Sequence, residues 1–216
     1  YGGHAGGAVS AVAALPHGTR VLSGGEDGVI RYWDAETGRD VLPPLAGHKG
    51  SVKGLAVSPD GRRALSAGVD GTLRLWDLET GRELRVMRGH TGWVMGVAFS
   101  PDGRLGLSAG LTDTTVRLWD LDAGRELRTF REHIDGVMSV AFSPDGRVIA
   151  SASTAHDVVL RDLSRVGAYH DLEPRAGDAN SALRSDPDDA AALALLGRWY
   201  AFRGVDDWAA ELFERA

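Results

Sequence analysis

Serine, histidine and aspartate recur in this chain at set distances from tryptophan, and together they are the side chains of nucleophilic acyl transfer. Ser23 and Asp27 precede Trp33, Ser66 and Asp70 precede Trp76, and Ser108 and Asp113 precede Trp119. His4, His48 and His90 lie upstream of the three sets. Aspartate stands six residues before tryptophan each time, and serine ten before it, or eleven in the third set, where Leu111 and Thr112 lengthen the turn by one. A hydrolase would use serine as nucleophile, histidine as base and aspartate to orient the base. That chemistry needs one exposed serine beside an oxyanion hole and a pocket. Here the trio repeats in register, each copy is tied to a tryptophan, and no Gly-x-Ser-x-Gly elbow occurs. The repetition points to a structural fastening and away from catalysis.

Other chemistries find less support. Of seven histidines, four share the repeated loop position, and none forms a two-histidine helical metal motif. The chain has no cysteine, hence no disulfide, no thiolate metal site and no cysteine nucleophile. The stretch Gly24-Gly25-Glu26-Asp27-Gly28 is a strand-to-strand turn, not a phosphate loop, because no Gly-Lys-Ser/Thr and no helix follow it. Protein-kinase catalytic-loop and Asp-Phe-Gly sequences are missing from it. No cofactor is implied. A net charge of −6 with dispersed basic residues argues against nucleic-acid binding. No apolar run approaches membrane-helix length, and a reducing, cytoplasmic setting is expected. Arginine outnumbers lysine 22 to 2 and asparagine occurs once, a skew that suggests a GC-rich, bacterial coding sequence.

These residues need elements to hold them. The aspartates that follow tryptophan fall at Asp34, Asp77 and Asp120, with an echo at Asp162, at spacings of 43, 43 and 42 residues. Gly-His pairs precede them at Gly3-His4, Gly47-His48 and Gly89-His90, and as Glu132-His133 in the fourth period. Ser-Pro-Asp-Gly-Arg turns lie at 58–62, 100–104 and 143–147. Each period carries several short β-like runs, separated in the third by Pro-Asp-Gly, Thr-Asp-Thr and Asp-Ala-Gly turn chemistry, while the first has only Leu-Pro-His-Gly-Thr at the Pro-Asp-Gly position. The runs are apolar on both faces, as expected of sheets sandwiched between copies of themselves. Radial stacking of such sheets is a β-propeller. The fold class expected is therefore all-β: about four four-stranded antiparallel blades over residues 1–172, followed by a small α-helical hairpin over 173–216.

On its Gly-His and Trp-Asp markers, the chain resembles WD40 repeat proteins over about four-fifths of its length. The resemblance implies one hydrogen-bonded series per blade: His4, Ser23, Asp27 and Trp33 in blade one; His48, Ser66, Asp70 and Trp76 in blade two; His90, Ser108, Asp113 and Trp119 in blade three. An indole N–H only donates, a carboxylate only accepts, and hydroxyl and imidazole do both, so the four can satisfy one another. In the fourth blade Arg161 replaces tryptophan and Ala155 stands at the aspartate position, while Ser151 and His133 remain. Either it is a decayed terminal blade, or Arg161, His156 and Asp157 mark a specialised surface. Its outer strand is expected over 166–172.

The resemblance also implies a face of loops that meets a protein or peptide partner. The positions are Glu26 in blade one, Lys49, Ser51 and Val69 in blade two, Thr91, Trp93 and Thr112 in blade three, and Ile134 in blade four. Trp93 is distinctive, because the other blades have Ala8, Ser51 and Gly136 there. Four blades leave two flat sheet faces uncovered, so the ring is completed by further sequence or by a second copy. The opening Tyr1 and the lack of an outer strand ahead of blade one favour a piece of a longer protein.

Beyond residue 172 the β pattern yields to helical spacing, with an apolar stripe of Leu193, Leu196, Tyr200, Ala209 and Phe213. Leu196, Gly197 and Tyr200, followed by Ala209, Phe213 and Ala216, resemble a tetratricopeptide repeat, with Ala182 and Pro187 matching the end of a preceding one. The expected function is a non-enzymatic interaction scaffold. The alternative is a regulatory region of a larger bacterial Ser/Thr kinase or similar signalling enzyme, an arrangement that the Gly-Arg-Glu-Leu-Arg and Ser-Pro-Asp-Gly-Arg phrasing resembles.

Overall fold

The computed structural model describes residues 3–5, 7–163, 169–202 and 206–216. The chain divides into two compact units, 1–161 and 162–216.

The first unit is built of antiparallel sheets in chain order. Blade one holds β1 (Val9–Ala14), β2 (Arg20–Gly25) and β3 (Val29–Asp34), with two short outer pieces, β4 (Arg39–Asp40) and β5 (Leu45–Ala46), both paired to β3. Blade two is β6 (Val52–Val57), β7 (Arg63–Gly68), β8 (Thr72–Asp77) and β9 (Glu83–Arg88). Blade three is β10 (Val94–Phe99), β11 (Leu105–Gly110), β12 (Val116–Asp120) and β13 (Arg125–Phe130). Blade four has β14 (Val137–Phe142), β15 (Val148–Ser153) and β16 (Val158–Asp162), and these form a three-stranded sheet.

The departures from four strands have local causes. Blade one's outer strand is interrupted at Pro43-Pro44, which supply no backbone N–H for a ladder. The outer strand expected over 166–172 in blade four is corrected: from Tyr169 the chain is helical, and 164–168 lie outside the described residues. In blades one to three the turn into the outer strand has a left-handed glycine four residues after the Trp-Asp aspartate, at Gly38, Gly81 and Gly124, with φ of 69°, 72° and 69°. The corresponding position after Asp162 is Val166, a β-branched residue unsuited to that conformation.

Side chains close the other turns. In the Ser-Pro-Asp-Gly-Arg turn of blade two, Ser58 Oγ donates to Asp60 Oδ1 at 2.6 Å and accepts from the Arg63 N–H at 2.9 Å. Asp77 Oδ1 accepts from the Glu79 and Thr80 N–H groups at 2.9 and 2.8 Å, so the Trp-Asp aspartate organises the turn to the outer strand.

Successive blades pack a forward face on the backward face of the next. Leu22, Ile30 and Tyr32 of blade one meet Val52, Ala64, Trp76 and Leu78 of blade two. Leu65, Leu73 and Leu75 of blade two likewise meet Val94, Trp119 and Leu121 of blade three. This two-sided burial is why β8 and β12 are buried along almost their whole length. The innermost strands approach closely: a Cβ on Gly96 would lie 3.0 Å from the Met138 carbonyl oxygen of blade four.

The second unit contains α1 (Tyr169–Ser185), α2 (Ala190–Phe202) and α3 (Asp206–Arg215), where a hairpin is expected from sequence. Asp189 caps α2, its Oδ1 accepting from the Ala191 and Ala192 N–H groups at 3.0 Å each. Ala176 and Ala179 of α1 pack with Ala192, Leu195 and Leu196 of α2. Gly197 is held against α3: a Cβ there would lie 2.7 Å from the Phe213 ring. Among the described residues no helix is long and apolar enough to cross a membrane.

Candidate functional site

The Ser, His, Asp and Trp side chains singled out in sequence are brought together blade by blade. In blade two, Trp76 Nε1–H donates to Ser66 Oγ at 2.9 Å, Ser66 Oγ lies 2.8 Å from His48 Nε2, and His48 Nδ1 lies 3.1 Å from Asp70 Oδ1. Blade three repeats these contacts at 2.8, 2.7 and 2.9 Å through Trp119, Ser108, His90 and Asp113. In blade one, Trp33, Ser23, His4 and Asp27 do so at 2.6, 2.8 and 3.1 Å. With a neutral imidazole, which burial favours at His48, one proton arrangement satisfies every member. Tryptophan donates to serine, serine to Nε2, and Nδ1–H to the carboxylate.

The geometry removes the hydrolytic option from these serines. Ser66 and Ser108 are fully buried and already accept an indole N–H, so no substrate carbonyl can reach them.

Aspartate does the positioning. Asp70 accepts from the Lys49 N–H at 2.8 Å, the Thr72 N–H at 3.1 Å and the Thr72 hydroxyl at 2.8 Å. One carboxylate therefore joins the loop before β6 to the turn between β7 and β8. Burial pushes the Asp70 pKa up, but the donors from Lys49, Thr72 and His48 outweigh it and bring the value down to about 2. Asp113 is held well below the ordinary carboxylate range in the same way, burial being outweighed by His90 and Thr115. In blade two the imidazole sits tightly against glycine: a Cβ on Gly68 would lie 2.6 Å from His48 Nδ1.

Blade four corrects the expectation that its series is lost at Ala155. His133 Nε2 lies 2.7 Å from Ser151 Oγ, and His133 Nδ1 lies 3.0 Å from Asp157. Asp157, two residues on, takes the aspartate's part, and Ser153 Oγ donates to it from the register where blade two has Gly68. Arg161 stands in the indole's register, with Nη1 donating to Ser151 Oγ at 3.0 Å. It also ion-pairs with Glu132 and lies 4.9 Å from the Phe130 ring centroid, while its buried Nε has no acceptor.

The two exchanges at the far end belong together. In blade two a Cβ on Gly47 would lie 2.7 Å from Arg74 Nη1 and 3.0 Å from both Glu83 Oε2 and Trp76 Cη2, so the indole and the neighbouring ion pair together leave room only for glycine. Blade four has a guanidinium in place of the indole and an acid in place of the glycine. Of the residues suspected of forming a special surface, Asp157 and Arg161 serve the network. His156 occupies the left-handed turn position at φ 63°, equivalent to Gly28, Gly71 and Thr114 at 76°, 74° and 56°.

Sequence reasoning missed the network role of Asp157, the threonine donors Thr72 and Thr115, and the pairs Arg74–Glu83 and Arg117–Glu126. A signal for the first was present: Ser153 breaks the glycine register of the other three blades.

The loop residues expected to face a partner adjoin one another in pairs. Val69 N–H donates to the Ser51 carbonyl at 3.0 Å beside the exposed Lys49. Trp93 N–H donates to Thr112 Oγ1 at 3.2 Å, and the Trp93 carbonyl accepts from the Leu111 N–H at 2.8 Å, close to the exposed Thr91. Glu26 turns back on blade one, accepting from the Ala8 N–H at 3.2 Å. Trp93 remains 49% exposed and Ile134 88% exposed. Among the described residues no group of three or more His, Asp and Glu side chains is placed to hold a metal ion.

The family model for the WD domain, G-beta repeat, matches residues 1–34, 40–77, 81–120 and 124–161, each match ending at or beside the tryptophan register. No curated protein matches the chain significantly. Four matched repeats, each carried by its own antiparallel sheet, place the chain in the WD-repeat family.

Proposed function

We propose that the propeller unit is a non-enzymatic docking platform whose loops bind a protein or peptide, with the blade-three and blade-four loops at its centre. WD-repeat domains are generally protein-interaction scaffolds without catalytic activity. The observation that carries the finer reading is Trp93. It is a large aromatic left half-exposed in a loop whose main chain is held by both Leu111 and Thr112. Fixing the main chain that carries an indole before binding lowers the ordering cost of using it as an anchor. Ile134 lies nearby through the chain: Gly136 abuts Leu111, which is bonded to Trp93.

The helical unit supports a second docking surface in this reading. Its tetratricopeptide-like small residues, Gly197 and Ala209, are buried where the helices approach.

Peptides selected on the wild-type chain from a display library test the loop assignment. Trp93→Ala is expected to weaken their binding at least tenfold, Ile134→Ser less, and neither to move the unfolding midpoint. If Trp93→Ala lowers stability while the selected peptides bind unchanged, the indole packs the scaffold and the reading fails.

A further inference from the structure

The chain has only two lysines, Lys49 and Lys53, and both stand at the entry to β6, on the loop end of blade two. Lys49 is exposed and Lys53 half-buried. Among the described residues no carboxylate forms an ion pair with either ammonium.

A β-bulge places Lys53. Val52 pairs with Gly68 and Gly54 with Ala67, so Lys53 is the extra residue of its strand. Such a bulge takes a residue out of the ladder and re-aims its side chain. The same break in register singles out Ser10 in β1, Met95 in β10 and Met138 in β14. These residues form one row across the innermost strands. Ser10 Oγ donates to the Val52 carbonyl at 2.9 Å. A Cβ on Gly54 would lie 3.1 Å from the Met95 carbonyl oxygen, and one on Gly96 3.0 Å from that of Met138. The row therefore runs hydroxyl, ammonium, thioether, thioether. Met138 is exposed, and Trp93 precedes Met95 on the same segment.

The carboxylates at this end of the blades are already engaged. Asp70 and Asp113 hold imidazole and threonine donors, and Glu26 accepts from the Ala8 N–H. Asp135 accepts from the Gly136 N–H at 2.7 Å. A basic partner would meet the two free ammoniums with like charge, and a purely apolar one would strip them of water without pairing them. We infer that the segment bound by this face is acidic and apolar together. Its carboxylates pair with Lys53 and Lys49, and a neighbouring large apolar side chain lies on Met95, Met138 and the Trp93 indole. Thioethers suit that part, because they adapt their shape to the group they receive.

The inference rests on the loop-docking reading and adds the charge of the ligand to it. Two sets of short synthetic peptides test it on the full chain. One set carries Asp or Glu beside Leu or Phe, and its twin carries Asn or Gln at the acidic positions. In fluorescence anisotropy at low salt the acidic set is expected to bind about tenfold more tightly than its twin, and the gap to close as salt is added. Lys53→Gln is expected to remove most of the gap and Lys49→Gln less of it, with the twin's binding and the unfolding midpoint unchanged. Arg62→Gln, on the turn at the opposite end of blade two, is expected to leave the gap intact. Equal binding of the two sets to wild type, both still weakened by Trp93→Ala, would overturn this inference and leave the docking reading standing. An acidic preference that survives both lysine substitutions together would overturn it as well, and so would failure of either set to bind. Acidic peptides that need Lys53 but bind Trp93→Ala unchanged would sustain the carboxylate site while removing the loop aromatic as an anchor, so the two readings fail separately.

Discussion

In blade two the Trp76 indole ends the hydrogen-bond series on Ser66, whereas in blade four the Arg161 guanidinium reaches Ser151 from the same register. The indole is apolar over most of its surface, needs one acceptor, and packs on a glycine. The guanidinium carries a full charge, needs several acceptors, and is met by Glu132 and the Phe130 ring. The carboxylate end differs as well: Asp70 sits in the turn and is closed by Thr72, while Asp157 sits two residues later and is closed by Ser153. Both blades keep His and Ser unchanged. The comparison shows that the series tolerates new ends provided that each new group arrives with its own partner.

The largest test of that rule is to give blade two one half of blade four's solution. Trp76→Arg places a charge beside Gly47, where the nearby Glu83 carboxylate is already paired with Arg74, and removes a buried aromatic, and a loss of about 4 kcal/mol is expected. Adding Gly47→Glu to it is expected to restore part of that loss in urea unfolding. A double variant no more stable than Trp76→Arg alone would break the claim that the two exchanges are coupled.

Asp70→Ala comes next, at about 2 to 3 kcal/mol, because it strands the Lys49 and Thr72 N–H groups together with His48. Asp157→Ala is expected to cost clearly less, since its carboxylate is already partly open to water. Equal losses in the two variants would show that the blades are fastened alike despite their geometry.

Acid provides a third contrast. The Asp70 pKa is lowered to about 2 in the folded chain, below the ordinary value, so the folded state favours the ionised form. Its contribution, on the order of 2 kcal/mol, is fully present above about pH 4 and is lost as pH falls through the folded value. Burial depresses the His48 pKa, so its neutral form adds stability that fades as pH drops below the ordinary histidine range. Urea midpoints are therefore expected to fall steeply between about pH 4 and 2, and less steeply in Asp70→Asn. A variant with the wild-type slope would exclude Asp70 as the source.

The smallest effect concerns the turn. Thr114 and His156 hold the left-handed conformation that Gly28 and Gly71 hold in blades one and two. Thr114→Gly and His156→Gly are each expected to change stability by less than about 1 kcal/mol, relief of strain being opposed by the entropy of glycine. A loss of several kcal/mol at either site would reveal a side-chain role beyond the turn.

Much of this was legible in residue order because the chain states its unit repeatedly. Spacings near 43 residues, the Gly-His and Trp-Asp markers and the proline-glycine turns depend on contacts within one blade, and such contacts leave a local trace. The outer strand of blade four was misjudged because its segment is apolar enough for a strand but lacks the turning glycine. The network role of Asp157 escapes the sequence for a related reason: alignment by position points to Ala155, while a carboxylate two residues away reaches the blade's imidazole, His133, once the turn is folded.

The amino-acid order alone determined the repeat and the blade as its unit, since both follow from turn chemistry and periodic burial, and its recurring markers pointed to the His, Ser, Asp and Trp series of blades one to three. Only the tertiary structure decided that Arg161 and Glu132 together replace an indole and a glycine. Only it showed which loop aromatic stays exposed. Those facts depend on distances between residues far apart in the chain, and packing sets such distances where no local pattern records them.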